Sequence, residues 1–185
     1  MKGVSAWSIP VSRYSKSLSG ATTVMLGLGS SLGDRLHHLR RGVLFLMHHP
    51  QIYLESMSSI WQTQPIGAAK NHFYNMCVRI QTTLSELELL DVLLHIERQC
   101  GRIRGVHWMD RSLDLDLLLF GEQVVDLPRL TIPHPRMFER LFVMLPLCEV
   151  GLDFVKIAQW YQTNQKSHPI PTGMWKVGHF AFVKV

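Results

Sequence analysis

The sequence is poor in the features that define several protein classes. No uncharged apolar run approaches the ~20 residues that a membrane-spanning helix requires. The three cysteines, Cys77, Cys100 and Cys148, are widely spaced and form no CxxC pair, so neither a disulfide framework nor a cysteine-bound zinc is predicted. The first twenty residues lack the continuous apolar core of a secretory signal. These absences favour a globular cytoplasmic protein without a membrane partner.

Several catalytic motifs are missing as well. There is no Walker GxxxxGK[ST] sequence, which excludes a P-loop enzyme, and no GxSxG nucleophile elbow. Residues 27–31, Gly-Leu-Gly-Ser-Ser, resemble a phosphate loop but lack its lysine. We interpret their glycines as permitting a tight turn from a strand into a helix.

Charge is distributed unevenly along the 185 residues. The formal net charge is +5, and Lys2, Arg13 and Lys16 contribute three of these charges within twenty residues that contain no acid. The remainder is therefore only +2, which argues against nucleic acid and favours a small phosphorylated ligand.

The chain divides into three parts on composition. We expect residues 1–20 to be a basic, disordered extension, with a transit-like leader as the alternative. Residues 21–158, with ordinary globular composition, are predicted to form one domain. Residues 159–185 have turn residues and scattered aromatics, and their structure is not predicted.

Hydrophobic periodicity predicts the order strand, helix, strand, strand, helix, strand. The predicted strands cover 22–28, 52–61, 73–83 and 112–120, and the helices start at Asp34 and Ser85. This order is that of a ferredoxin-like α+β sandwich, in which helices cover an antiparallel sheet. A short helix within 137–147 would be an additional C-terminal element. The apolar positions of the first helix, Leu36, Leu39, Val43, Leu46 and Met47, recur at three and four residues. Leu87, Leu90, Leu94 and Glu97 are predicted to line one side of the second helix.

The strongest chemical signal is the strand sequence Arg-Ser-Leu-Asp-Leu-Asp-Leu at positions 111–117. Side chains two apart in a strand share a face, so Asp114 and Asp116 are predicted to project together. Two close carboxylates repel each other, and a divalent cation removes that cost; oxygen ligands of this kind suit Mg²⁺. A half-buried edge strand with a solvated acidic face is the alternative.

Arginines precede this acidic pair. Arg102, Arg104 and Arg111 lie within ten residues, with Trp108 among them. Guanidinium groups match phosphate oxygens, and an indole can stack on a base. The cluster therefore favours a nucleotide site, whereas a solvated basic loop anchored by the tryptophan is the alternative.

Taken together, these segments resemble the 6-hydroxymethyl-7,8-dihydropterin pyrophosphokinase family from about Thr23 to about Val150. The motifs that carry the resemblance are Gly-Ser-Ser-Leu-Gly-Asp at 29–34, Thr-Gln-Pro-Ile-Gly at 63–67, Phe-Tyr-Asn at 73–75, Arg-Ser-Leu-Asp-Leu-Asp at 111–116 and Thr-Ile-Pro-His-Pro at 131–135. The combination of R-x-x-D-x-D with a downstream P-H-P is highly specific. The family transfers the β,γ-pyrophosphoryl group of ATP to a pterin alcohol and releases AMP.

The resemblance implies roles by position. Two Mg²⁺ ions are expected on Asp114 and Asp116, and Glu97 is a nearby acid. The implied pterin pocket comprises Thr63, Ile66, Phe73, Asn75, Asp114 and Phe142. The implied ATP and phosphate contacts are Arg102, Arg104, Trp108, Arg111, Thr131, His134 and Arg140. Arg102, Arg104 and Arg111, with the two aspartates, are expected to carry catalysis.

Departures from the family pattern and two rival functions qualify this picture. Ser31, Phe73, His107 and Pro135 differ from residues that other members often carry, which puts rate and affinity in question. One rival is a nucleotide- or RNA-binding module, and the other is a metal-dependent phosphohydrolase. We expect a monomer that binds ATP and a pterin, without a nucleic acid partner.

Overall fold

The computed structural model describes residues 5–11, 19–65, 70–102, 110–153 and 174–184, and describes side chains within 19–65, 70–102, 110–153 and 174–180. The strands in these ranges are β1 Ser5–Val11, β2 Thr22–Ser30, β3 Ile52–Met57, β4 Ser59–Thr63, β5 Phe73–Thr82, β6 Asp114–Phe120, β7 Val125–Leu127, β8 Leu130–Ile132 and β9 Trp175–Lys184. The helices are α1 Arg35–His48, α2 Glu86–Gln99 and α3 Leu141–Glu149.

A mostly antiparallel sheet organises the molecule. Its strand order is β1-β9-β4-β5-β2-β6, and β3 pairs with β5 next to β4. Strands β4, β5, β2 and β6 are antiparallel to their neighbours, and β7 and β8 form a separate hairpin. The predicted ferredoxin-like α+β fold is confirmed.

One face of the sheet is covered by α1 and α2. Helix α1 begins after Asp34, whose side chain accepts from the His37 amide, and it buries the predicted Leu39, Val43 and Leu46. Helix α2 begins at a Ser85–Glu88 capping box.

The predicted side of α2 is buried only in part. Glu97 is buried, Leu90 and Leu94 are half-buried and Leu87 is exposed, whereas Leu89, Leu93 and Ile96 are buried. Leucines occur on more than one side of this helix, so the periodicity allows two apolar stripes. Packing against the sheet decides between them.

The predicted second strand is divided at Ser58, between β3 and β4. The Ser58 hydroxyl accepts from the Cys77 amide at 2.8 Å, and the Ser58 amide donates to the Cys77 carbonyl at 2.9 Å. The side chain thus takes the place of a backbone acceptor, which interrupts the regular ladder. Ser58 therefore separates β3 from β4.

The opposite face of the sheet carries α3 over only part of its area. A second apolar cluster joins Cys77 and Leu118 of the sheet to Met137 and to Met144 and Leu147 of α3. The ends of β2, β5 and β6 beyond this cluster frame a cavity.

The chain termini form an addition to the sheet. Ser5–Val11 pairs in parallel with Trp175–Lys184, which pairs in turn with β4. The expectation of a disordered extension is therefore corrected for Ser5–Val11. The partner strand lies at the other end of the chain, so local sequence carries little signal for the pairing. Pro10, which has no amide hydrogen, is compatible with an edge strand.

None of the helices within the described ranges is long and apolar enough to cross a membrane.

Candidate active site

The cavity has a volume of about 260 Å³ and lies over the central strand β2. Gly27 and Gly29 of β2 both line it, and neither has a side chain to fill the space between the flanking strands. Two rows of residues cross β5, β2 and β6 at these positions, Asn75–Gly29–Asp114 and Cys77–Gly27–Asp116. The register of three strands therefore sets an amide and a thiol on one side of a glycine trough and two carboxylates on the other.

Part of the lining, which we call the aromatic end, comprises Thr63, Phe73, Asn75 and Phe142. It adjoins the charged residues, because the Arg140 guanidinium lies 5.8 Å from the Phe142 ring and the Asn75 and Asp114 side chains both lie within 4 Å of the position of a Cβ at Gly29. The Asn75 side-chain amide donates to the Thr63 hydroxyl at 2.9 Å, and both residues are buried. A Cβ at Gly29 would lie 3.3 Å from Oδ1 of the Asn75 side-chain amide. The absence of a side chain at this glycine leaves room for that amide.

The other part, which we call the charged end, comprises Arg111, Asp114, Asp116, Arg136, Glu139 and Arg140. Asp114 accepts from Arg111 at 2.7 Å and from Arg102 at 2.5 Å. The Arg140 ion pair with Asp116 is looser, at 4.0 Å. The arginine and aspartate side chains therefore neutralise one another.

Glu97 of α2 contacts the charged end from the face of the sheet that α1 and α2 cover. Its carboxylate is 1% exposed, accepts from the Leu115 amide at 2.8 Å and forms an ion pair with Arg102. Arg102 thus bridges a buried glutamate and the cavity-lining Asp114. A buried carboxylate with these partners orients the guanidinium.

Asp116 is the most perturbed carboxyl group of the site. Burial raises its pKa to about 7, and the nearby negative charge of Asp114 adds to the shift. About a third of its side chain, 35%, remains accessible, and it lines the cavity. The two carboxylates therefore repel each other in a partly desolvated site.

His134 lies at the start of the segment that leads to α3. Its amide donates to the Leu118 carbonyl at 2.9 Å. Burial lowers the pKa of its imidazole, and the positive charge of Arg140 acts in the same direction. His134 is therefore neutral at physiological pH.

Ser31 fixes the position of Arg111. The Ser31 hydroxyl accepts from the Arg111 amide at 2.9 Å, and the Ser31 amide donates to the Arg111 carbonyl at the same distance. This departure from the family pattern thus retains a side-chain contact. It joins the end of β2 to the residue that pairs with Asp114.

The structure brings most of the candidate residues together. Thr63, Phe73, Asn75, Arg111, Asp114, Asp116, Arg140 and Phe142 line the cavity. Arg102 reaches it through Asp114, whereas Thr131 is an exposed residue of β8. Ile66, Arg104, His107 and Trp108 lie outside the described residues.

Sequence reasoning missed the part played by two glycines and by a second charged pair. Gly27 and Gly29 were assigned to a turn, but they lie within β2 and form the trough of the cavity. Arg136 and Glu139 also line it. Their signal was the run of charges just after the P-H-P motif.

The aspartates fit a magnesium ion that is shared with a phosphorylated ligand. The described residues contain no group of three His, Cys, Asp or Glu side chains that would hold a metal by themselves. Mg²⁺ commonly takes one or two carboxylates and completes its shell with phosphate oxygens and water. A cation here would relieve the repulsion between Asp114 and Asp116.

Comparison with known proteins identifies similar sequences and folds. Residues 25–152 match the family model of 7,8-dihydro-6-hydroxymethylpterin-pyrophosphokinase. A 2-amino-4-hydroxy-6-hydroxymethyldihydropteridine pyrophosphokinase of Bacillus subtilis is 42% identical over 76% of this chain and 85% of its own length. The Pseudomonas aeruginosa protein of that name is 39% identical over 70% of this chain and 81% of its own length.

A solved structure of Plasmodium falciparum HPPK-DHPS shares the fold, with a TM-score of 0.61 at 14% identity. The match covers 84% of this chain and 49% of the Plasmodium chain, so it spans about half of the length of the Plasmodium chain. At this level of identity the likeness concerns the fold alone.

Proposed function

Because this chain belongs to the 7,8-dihydro-6-hydroxymethylpterin-pyrophosphokinase family, it is an ATP-dependent pyrophosphokinase of folate biosynthesis, and we propose which of its residues perform the reaction. The pyrophosphoryl group of ATP passes to the hydroxymethyl group of 6-hydroxymethyl-7,8-dihydropterin, and AMP is released. The observation that supports our assignment is a cavity whose lining includes both aromatic side chains and arginines paired with aspartates.

The aromatic end binds the pterin. A flat heterocycle stacks favourably on aromatic rings and takes a few placed hydrogen bonds at its edge. Phe73 and Phe142 supply the rings, and the buried amide of Asn75, held by Thr63, supplies hydrogen bonds. Ile66 is assigned to the same pocket on family resemblance.

The charged end binds the phosphate chain of ATP. Arg111 and Arg140 exchange their aspartate partners for phosphate oxygens, and Arg102 stays anchored by Glu97. His134, Thr131, Arg104 and Trp108 are further ATP contacts that we carry over from the family. Charge-assisted hydrogen bonds from arginine suit this task.

Two Mg²⁺ ions are proposed on Asp114 and Asp116. When bound, they neutralise the charge that develops on the transferred group. Transfer forms a bond from the pterin hydroxyl oxygen to the β-phosphorus of ATP and breaks the bond from that phosphorus to the oxygen that AMP retains, and the hydroxyl proton is released to water. Asp114, in the same row as Asn75, orients the attacking hydroxyl group. Positioning and charge neutralisation carry most of such a reaction.

We further propose that the chain acts as a monomer in the cytoplasm, without nucleic acid or membrane partners. The near-neutral charge outside the first twenty residues supports the absence of a nucleic acid partner.

The test is a product assay with purified protein, ATP, Mg²⁺ and 6-hydroxymethyl-7,8-dihydropterin. AMP is expected only when both the pterin and Mg²⁺ are present. Free phosphate in place of AMP would instead support the phosphohydrolase alternative. Folded protein that forms neither product would contradict the proposed function.

A further inference from the structure

The charged end contains an ion pair to which family resemblance gives no role. Arg136 and Glu139 both line the cavity, and the Arg136 Nε donates to the Glu139 carboxylate at 3.2 Å. The other two arginines of the charged end, Arg111 and Arg140, also lie beside carboxylates. All three guanidinium groups thus share one arrangement, in which a cavity acid neutralises an arginine.

The backbone around Arg136 is firmly anchored. Met137 is fully buried in the second apolar cluster, and its amide donates to the His134 carbonyl at 3.0 Å. The side chains of Arg136 and Glu139 nevertheless remain 42% and 33% exposed. Ion pairs at such exposure contribute little to stability, so the guanidinium can exchange Glu139 for another anion at small cost.

The same segment orients His134. The Arg136 amide donates to His134 Nδ1 at 3.2 Å, so Nδ1 is the acceptor and the proton of the neutral ring lies on Nε2. His134 is therefore a hydrogen-bond donor through Nε2. Of residues 134–136, Arg136 is the one that lines the cavity.

From this geometry we propose that Arg136 binds a non-bridging oxygen of the phosphate chain of ATP, and that Glu139 is the counter-ion it leaves when ATP binds. The inference deepens the proposed function, because it adds a contact to the same site. The alternative is a structural clip, in which the Arg136–Glu139 ion pair only holds this segment in place. If Arg136 binds ATP, substitutions of Arg136 and Glu139 should change ATP affinity in opposite directions, whereas loss of a structural clip should weaken binding in both variants.

The experiment measures binding of a non-hydrolysable ATP analogue with Mg²⁺ by calorimetry. R136Q is expected to weaken binding by about 10- to 100-fold, the range for loss of hydrogen bonds to a charged group. E139Q is expected to strengthen binding, because the guanidinium no longer has to leave a carboxylate. R136K keeps the positive charge but not the planar guanidinium, so its affinity for the analogue should lie between those of the wild type and R136Q.

The double variant R136Q/E139Q tests whether Glu139 acts through Arg136. If it does, removing Glu139 adds nothing once Arg136 is gone, and the double variant binds like R136Q. R129Q is the matched control, since Arg129 is an exposed arginine paired with Asp91 and does not line the cavity. Thermal melting of each variant confirms that it is folded.

Unchanged analogue binding in R136Q would overturn the proposal. So would parallel weakening in R136Q and E139Q with matching losses of thermal stability, since that is the result for a structural clip. AMP formation by the wild type is measured separately. A wild type that forms AMP while R136Q binds normally contradicts this inference alone, whereas a wild type that binds the analogue but forms no AMP contradicts the proposed function alone.

Discussion

The aromatic and charged ends line one cavity, yet their side chains are arranged in different ways. At the aromatic end, Asn75 and Thr63 are buried, neutral and joined by a hydrogen bond. At the charged end, the arginine and aspartate side chains are partly exposed and neutralise one another. We expect the first arrangement to persist when a ligand binds and the second to exchange partners.

The two ends differ in how they affect the stability of the folded protein. At the aromatic end, the Asn75 amide and the Thr63 hydroxyl are hydrogen-bonded to each other without a ligand. Two carboxylates close together in a desolvated site are satisfied only in part, as the raised pKa of Asp116 shows. We therefore expect changes at the charged end to alter catalysis with little loss of stability, and changes at the aromatic end to alter pterin affinity.

The largest expected effect is at Asp116. Asp116→Asn should lower AMP formation by at least about 100-fold, the scale for removal of one electrostatic stabiliser. The melting temperature without Mg²⁺ should not fall, because the substitution removes a charge that Asp114 repels. Activity is measured by AMP release and stability by thermal denaturation.

Asp126→Asn is the control, since Asp126 is an exposed residue of β7. It should leave both quantities unchanged. A clear drop in the melting temperature of Asp116→Asn would show that Asp116 has a structural role and would break the comparison between the two ends.

The second effect concerns the buried amide. Asn75→Ala should weaken pterin binding about tenfold or more, since it also leaves the buried Thr63 hydroxyl without this partner. Affinity for an ATP analogue should change little. Fluorescence or calorimetric titration with each ligand measures the two constants.

Gln81→Ala is the matched control, because Gln81 is a half-buried amide of the same strand that donates to Glu55 away from the cavity. Equal losses of pterin and ATP affinity in Asn75→Ala would mean that the two ends do not act separately.

The third effect compares the two trough glycines. A Cβ at Gly29 would lie 3.3 Å from Oδ1 of the Asn75 side-chain amide, whereas a Cβ at Gly27 would lie 3.4 Å from a terminal methyl group of Leu118. Gly29→Ala should therefore weaken pterin binding several-fold, and Gly27→Ala should weaken it less. Similar pterin affinities for the two variants would contradict the role of Gly29 in accommodating the amide.

The smallest effect is that of ionic strength. Raising salt from about 0.01 M to about 0.15 M shortens the Debye length from about 30 Å to about 8 Å. Binding of an ATP analogue should weaken a few-fold, because the charged end is partly exposed, while pterin binding should be unchanged. Equal salt dependence for both ligands would remove the electrostatic distinction between the ends.

Much of this site was predictable from local pattern. The period of two in residues 114–120 placed Asp114 and Asp116 on one face, and both line the cavity. Apolar spacing identified the buried face of α1. These predictions succeeded because backbone geometry alone determines which neighbours along a helix or strand share a side.

Predictions that depended on distant partners did worse. Leu87 was expected to share the apolar side of α2 with Leu90 and Leu94, and it is exposed, because the sequence of this helix allows two apolar stripes. Ser5–Val11 was expected to be disordered and pairs with β9. The function of Gly27 and Gly29 depended on strands β5 and β6 on either side, which no short window of sequence contains.

The sequence by itself determined the order of the core elements, the ferredoxin-like class and the chemical character of the Asp-x-Asp strand, because these follow from side-chain period and residue type. Only the tertiary structure decided that the strand register aligns an amide, a glycine and a carboxylate in one row, and that Arg136 and Glu139 join the same cavity. Such juxtapositions arise from strand pairing and helix packing between residues far apart in the chain.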